Sequence, residues 1–162
     1  MTLDSVRRPA PTTGTVDGAL AHDTILVGFS HSAASAAALR WALREGRRQG
    51  CGVTVLHVAD PAERADERMN RTGSAGLDAG PFLDRVSALL DEEHEAVPVR
   101  VAHQQGTVEE RLRHAATGAR VLVLGRPERC RHEGLDERLK ASVRCPVVVI
   151  AAAQLAGPTH SR

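Results

Sequence analysis

The sequence predicts a single α/β domain built on an open, doubly wound sheet of five parallel strands with helices on both faces. Three observations lead there. From Asp23 onward, short Val/Ile/Leu runs alternate with segments of helical period, the order that a parallel sheet with crossover helices requires. The runs are apolar throughout rather than at every second residue, as strands covered on both faces must be. The length, 162 residues with 42% hydrophobic and 25% charged side chains, suits one soluble globular domain with a real core and is too short for two.

Residues 1–22 are rich in Thr, Pro, Gly and Ala without a sustained period and read as a disordered arm. The domain then spans residues 23–152, and residues 153–162 form a flexible tail. The first strand is Thr24 to Phe29. A helix follows from Ser32 to about Gln49: Ser32 caps it, Ala36, Leu39 and Leu43 recur at helical spacing, and Gly50 ends it. The second strand is Val53 to Val58. Residues 59–79 carry charges, Gly and Ser with almost no apolar side chains, and form a long mobile connection. Pro81 opens a helix whose face is Phe82, Val86, Leu89 and Leu90, as far as about Glu95. The third strand, Val97 to Ala102, contains Pro98, which cannot donate to a ladder and therefore argues for a sheet edge. Val108, Leu112, Ala115 and Ala116 form the stripe of a helix that starts near Thr107, and Val121 to Leu124 is the fourth strand. Leu135, Leu139 and Val143 mark a short last helix, and Pro146 to Ala151 is the fifth strand. In such a sheet the ligand crevice lies outside the carboxyl ends of the strands. Gly125, directly after the fourth strand, stands where a loop would meet a ligand.

The formal net charge of +1 argues against broad capture of nucleic acid. The 20 arginines against the lone Lys140 fit a GC-rich coding bias better than a selected basic surface. Phe29, Trp41 and Phe82 are the whole aromatic set, too few for a platform that stacks single strands. Cys51, Cys130 and Cys145 are odd in number and lack metal-ligand spacing, which fits a reducing compartment. There is no run of 18 apolar residues, and the arm has no apolar signal core. The expectation is a cytoplasmic protein with no membrane and no nucleic-acid partner.

The stretch "ILVGFSHSAASAAALRWALREGRRQGCGVTVLHVAD" is similar to the opening strand, helix and second strand of the universal stress protein family, and "VLVLG" with "RCPVVVIA" is similar to its fourth and fifth strands. The resemblance covers about residues 24–151 and implies the fold shared with adenine nucleotide alpha hydrolases. It also implies a site. Nucleotide-binding members carry an Asp after the first strand, then Gly-x-x-Gly, a nine-residue spacer and Gly-Ser/Thr before the last helix. Those glycines let main-chain N–H groups close on phosphate oxygens, and the hydroxyl residue opens a helix whose N-terminus favours negative charge.

This sequence keeps only Gly125 of that pattern. Ser30 stands at the Asp position and lacks the carboxylate acceptor for ribose hydroxyls. Glu128 stands at the second Gly, Glu133-Gly134 fall where Gly-Ser would be, and the loop is five residues shorter. A carboxylate at Glu133 would repel a phosphate there by roughly 1 to 4 kcal/mol. Arg126, Arg129 and Arg131 could bind phosphate without glycines, but pairing with Glu128, Glu133 and Asp136 inside the loop is the preferred reading. Candidate nucleotide-binding residues are thus Ser30, Gly125, Arg126, Arg129, Arg131 and Gly134.

Other constellations are weaker. "SHSAAS", Ser30 to Ser35, has the two serines of the pyrophosphatase loop of adenylating enzymes, but His31, Ser32 and Ala34 replace its glycines and Asp, and a helix cap at Ser32 explains the residues. His31, His103, Cys130 and His132 could share the carboxyl edge of the sheet, yet no pair has regular metal-ligand spacing. His57 lies inside a strand and reads as a core histidine bonded to a neighbour. Cys130 reads as an inert loop cysteine despite its arginines, and Cys145 as packed. No coherent nucleophile, base and oxyanion set is present.

The sequence therefore predicts a binding or regulatory module of the universal stress type rather than an enzyme. No cofactor is expected, with ATP or AMP as the alternative held by the loop arginines. An adenylating or ATP-hydrolysing enzyme is the reading from another class. The apolar last strand, Pro146 to Ala151, is expected to pair with its twin in a homodimer, as the resemblance implies, and the protein partner is unknown.

Overall fold

The computed structural model describes residues 22–30, 32–61, 80–93, 96–126 and 134–151. Residues 1–21 of the predicted arm, the predicted tail, the connection over residues 62–79, His31, and residues 127–133 lie outside them. In chain order the elements are β1 (Ile25–Gly28), α1 (Ala33–Gln49), β2 (Val53–Ala59), α2 (Gly80–Glu93), β3 (Val99–Gln105), α3 (Val108–Ala115), β4 (Val121–Arg126), α4 (Leu135–Ser142) and β5 (Val147–Ala151). The five strands form one sheet in the order β3-β2-β1-β4-β5, and every pairing is parallel.

Two cores follow from the alternation of strand side chains. Ile25, Val27, Val53, Val55, Val101, Val121 and Val123 point to one face and are buried with Leu39 and Leu43 of α1 and Phe82 and Val86 of α2. Leu26, Leu56, Leu122 and Leu124 point to the other and are buried with Leu112 of α3 and Leu139 of α4. Each fully buried side chain of this size contributes roughly 1.5 to 3 kcal/mol of transfer energy, so both faces of the sheet are held by their helices.

α1 begins and ends as its sequence dictates. The Ser32 side chain accepts from the Ser35 backbone N–H, and Gly50 closes the helix in the left-handed conformation at φ 67°. At the amino ends of the strands, Arg120 Nε donates to Asp23 Oδ1 over 2.8 Å. This bond and the cation's charge hold the Asp23 carboxyl below the usual carboxylate range. The predicted third strand is displaced: it starts at Val99, after Pro98, and runs to Gln105. Pro98 still serves the ladder, because its carbonyl accepts from Val53 N–H at 2.9 Å. It marks β3 as an edge strand, as expected. β5 forms the other edge, half-buried along its whole length.

Candidate functional site

β1 lies at the centre of the sheet, between β2 and β4. The strand order reverses there, and the carboxyl ends of β1 and β4 therefore flank the crevice where open parallel sheets take ligands. Ser30 follows β1, the first turn of α1 covers it, and Gly125, Arg126 and the start of α4 form the opposite wall.

The serines close on one another. Ser30 Oγ lies 2.8 Å from Ser35 Oγ and 3.0 Å from Ser32 Oγ, and Ser32 Oγ donates to Ser35 Oγ over 3.2 Å. Three backbone N–H groups feed the same ring: Ser30 to Ser35 Oγ at 3.0 Å, Ser35 to Ser32 Oγ at 3.1 Å, and Ser32 to Ser30 Oγ at 3.4 Å. A hydroxyl carries one proton and two lone pairs. If the ring runs Ser32 to Ser35 to Ser30 to Ser32, each hydroxyl donates once and accepts twice, and all three are saturated. The polar residues of the pyrophosphatase-like stretch are thus an elaborated helix cap. Ser35, at 2% exposure, is its buried member.

Gly125 corrects the sequence reading. It is not the first residue of a loop: β4 continues through it to Arg126, and Gly125 pairs with Ile150. Its missing side chain has a packing cause. A Cβ there would lie 2.3 Å from the Ala34 carbonyl carbon and 2.5 Å from the Ser35 backbone nitrogen, so the first turn of α1 can press onto β4 only because residue 125 is glycine.

Arg126, beyond that contact, forms an ion pair with Asp136 of α4. Burial pushes the Asp136 carboxyl up, but the Arg126 guanidinium and nearby backbone N–H groups outweigh it and hold the group below its usual range. Gly134 sits before α4 at φ 74° and offers no side-chain cap; Asp136 and Glu137 occupy the first turn. The positive end of this helix therefore already carries carboxylates. The expected pairing of loop arginines with loop acids holds for Arg126 and Asp136. Arg129, Arg131, Glu128, Glu133, Cys130 and His132 lie outside the described residues.

Sequence reasoning missed one cluster at the same edge. His57 and His103 are directly opposed in the β2–β3 ladder, with Nδ1 atoms 2.9 Å apart and rings stacked at 5.0 Å between centroids. Phe82 of α2 stacks on His57 at 4.8 Å and meets Phe29 at 5.6 Å. His57 is thus bonded to a neighbour as expected, but half-buried rather than deep in the core, and His103 is its partner inside β3; His31, Cys130 and His132, with which His103 could share the carboxyl edge, lie outside the described residues. Among the described residues no three His, Cys, Asp or Glu side chains converge on a metal position. The readable signal was offset: each histidine is the fifth residue of its strand. Cys145 packs half-buried against the α3/α4 core, and burial pushes its thiol up.

Comparison with known proteins gives one family. The model of the universal stress protein family matches residues 22–151. A protein of that family from Burkholderia pseudomallei is 26% identical, with 83% of this chain and 98% of that one covered and a TM-score of 0.54. Universal stress protein UspA from Lactobacillus plantarum is 20% identical over 80% of this chain and 98% of its own, at TM-score 0.61. The universal stress protein from Archaeoglobus fulgidus, solved in complex with dAMP, is 17% identical over 80% and 98%, at TM-score 0.51. No curated protein matches the chain. No helix among the described residues is long and apolar enough to cross a membrane.

Proposed function

Because this chain belongs to the universal stress protein family, we propose that it is a cytoplasmic binding or regulatory module, not an enzyme, whose nucleotide crevice has lost the means to hold a polyphosphate. The observation that carries this reading is that the crevice's polar groups among the described residues satisfy one another. The Ser30 hydroxyl is committed to Ser32 and Ser35, Arg126 to Asp136, and the α4 N-terminus to its own acids. A triphosphate would have to break the ion pair and displace carboxylates from the place its own charge needs. Among the described residues, the set does not fit the group.

The dAMP complex of the Archaeoglobus relative supports a second reading, in which a nucleotide binds after Arg126 leaves Asp136. Titrating ATP and AMP with magnesium while following the melting temperature separates the two, since a ligand bound to the native state raises stability by RT ln(1 + [L]/Kd). No shift at millimolar ligand, and no nucleotide released on denaturing the purified protein, is the expected outcome. A shift of several degrees, or a released adenine nucleotide, favours the second reading. Steady phosphate or pyrophosphate release would establish an enzyme. The half-buried apolar β5 at the sheet edge supports a homodimer through that strand, to be checked by light scattering of wild type and Val149→Glu.

A further inference from the structure

Both phenylalanines of the chain meet two of its eight histidines at one point. Phe29, directly after β1, and His57 and His103, on β2 and β3, belong to the sheet face that α1 and α2 cover, and Phe82 lies over them from the start of α2. Nδ1 atoms 2.9 Å apart on two imidazoles are at the distance at which they share a proton. We propose that the His57–His103 pair is a proton-responsive clasp: it seats the first turn of α2 on the ends of β2 and β3 at neutral pH and releases it in mild acid.

The geometry sets the proton count. Two Nδ1 atoms 2.9 Å apart can share one proton, donated by one ring and accepted by the lone pair of the other. A first added proton goes to Nε2 of the donor ring, leaving the Nδ1–H···Nδ1 bond in place and charge-assisted. A second must go to the accepting Nδ1. Two N–H groups and two positive charges would then face each other across the same gap, so the bond and the stack break together. In the unfolded chain both rings take protons near pH 6.5. Below that pH the unfolded state binds one proton more than the folded pair can, and stability falls with pH. The native affinity for the second proton is depressed, so its contribution is fully present above about pH 6.5 and is lost in the acid direction.

The constraint comes from the Nδ1–Nδ1 distance, and the charged groups described on the surrounding elements stand around it. On α2, Asp84 and Arg85 are exposed. Glu92 and Glu93 pair with Arg40 and Arg44 of α1 at the far end of the helix. On β3, Arg100 is three residues from His103 and so on the opposite face. Asp60 follows β2 directly, and the residue after β1 is the uncharged Phe29.

Nitrogen-15 spectra of histidine-labelled full-length protein test the clasp directly. At pH 7.5 one of the two rings should be the Nδ1–H tautomer and the other the Nε2–H tautomer; two Nε2–H rings would overturn the proposal. At pH 5.5 one ring should carry charge with the α2 amide signals in place, and further acid that charges the second ring should displace them. Both charged with α2 unmoved would overturn it. Urea melts supply the second measurement. His103→Gln keeps a side chain that can donate to or accept from His57 in either charge state. Between pH 6.5 and pH 5.5 the wild-type folding constant should fall up to about tenfold more than that of His103→Gln. Equal losses would overturn the clasp, and if the variant does not fold, the tautomer spectra of the wild type decide.

Discussion

The carboxyl edge of one sheet carries two polar constructions of opposite kind. On the β1–β4 side, Ser30, Ser32 and Ser35 close a ring within six residues of sequence, and Arg126 pairs with Asp136, 10 residues further on. On the β2–β3 side, His57 and His103 come from distant parts of the chain and are bonded only because the strands align Val53 with Val99. Neutral hydroxyls keep their hydrogen bonds over the working pH range, whereas an imidazole pair depends on its proton count. One side of the crevice is thus locked by chemistry that does not titrate near neutrality, and the other is held by chemistry that does.

Four substitutions sharpen or break that contrast. Phe82→Ala should do the most damage, about 3 to 5 kcal/mol, because the ring is 1% exposed and anchors α2 to both Phe29 and His57. Urea melts measure the loss, and hydrogen exchange should show β2, β3 and α2 loosened before β4. Gly125→Ala is expected to lower stability by about 3 kcal/mol, since the new methyl collides with α1 backbone rather than with a mobile side chain. Here exchange should rise at the start of α1. Ser35→Ala leaves the Ser30 N–H without its acceptor and opens the hydroxyl ring, for a loss of about 2 kcal/mol that should be the same at pH 5.5 and 7.5. A loss that varied with pH would erase the contrast between the two sides.

Asp136→Asn should have the smallest effect, under about 1 kcal/mol, because Arg126 is largely exposed and screened. Its sign with pH is fixed. The folded carboxyl titrates below its ordinary range, so the pair stabilises the fold above about pH 4 and fades as the pH falls through the folded value. Asn should remove that acid limb and leave neutral pH nearly unchanged, as thermal melts at pH 3 to 7 would show.

Features that depend on near neighbours were legible in the sequence. Ser32 as a cap, Gly50 as a stop and Pro98 as the sign of an edge strand all act within about one turn of helix or one strand, and the structure has each of them. Apolar runs likewise revealed every strand and the parallel sheet. The misses share a cause. Starting β3 before Pro98 put its end at Ala102 and left His103 outside, because the polar run His103-Gln104-Gln105 does not look like strand; only pairing with β2 makes it one. Gly125 looked like a ligand loop because a glycine after an apolar run has two explanations, and the deciding atoms belong to Ala34, far away in sequence. The Arg126–Asp136 pairing was foreseen because both residues sit on one short stretch.

The central place of β1 also governs how the chain is built. One flank pairs with β2 soon after the first crossover, but the other waits for β4, so that Ile25 meets Val121 only after β2 and β3 have been made. During synthesis, which proceeds from the N-terminus, a half-sheet of β3, β2 and β1 can assemble with one bare border. That border is the seam the nascent chain must keep from foreign strands until its own β4 arrives.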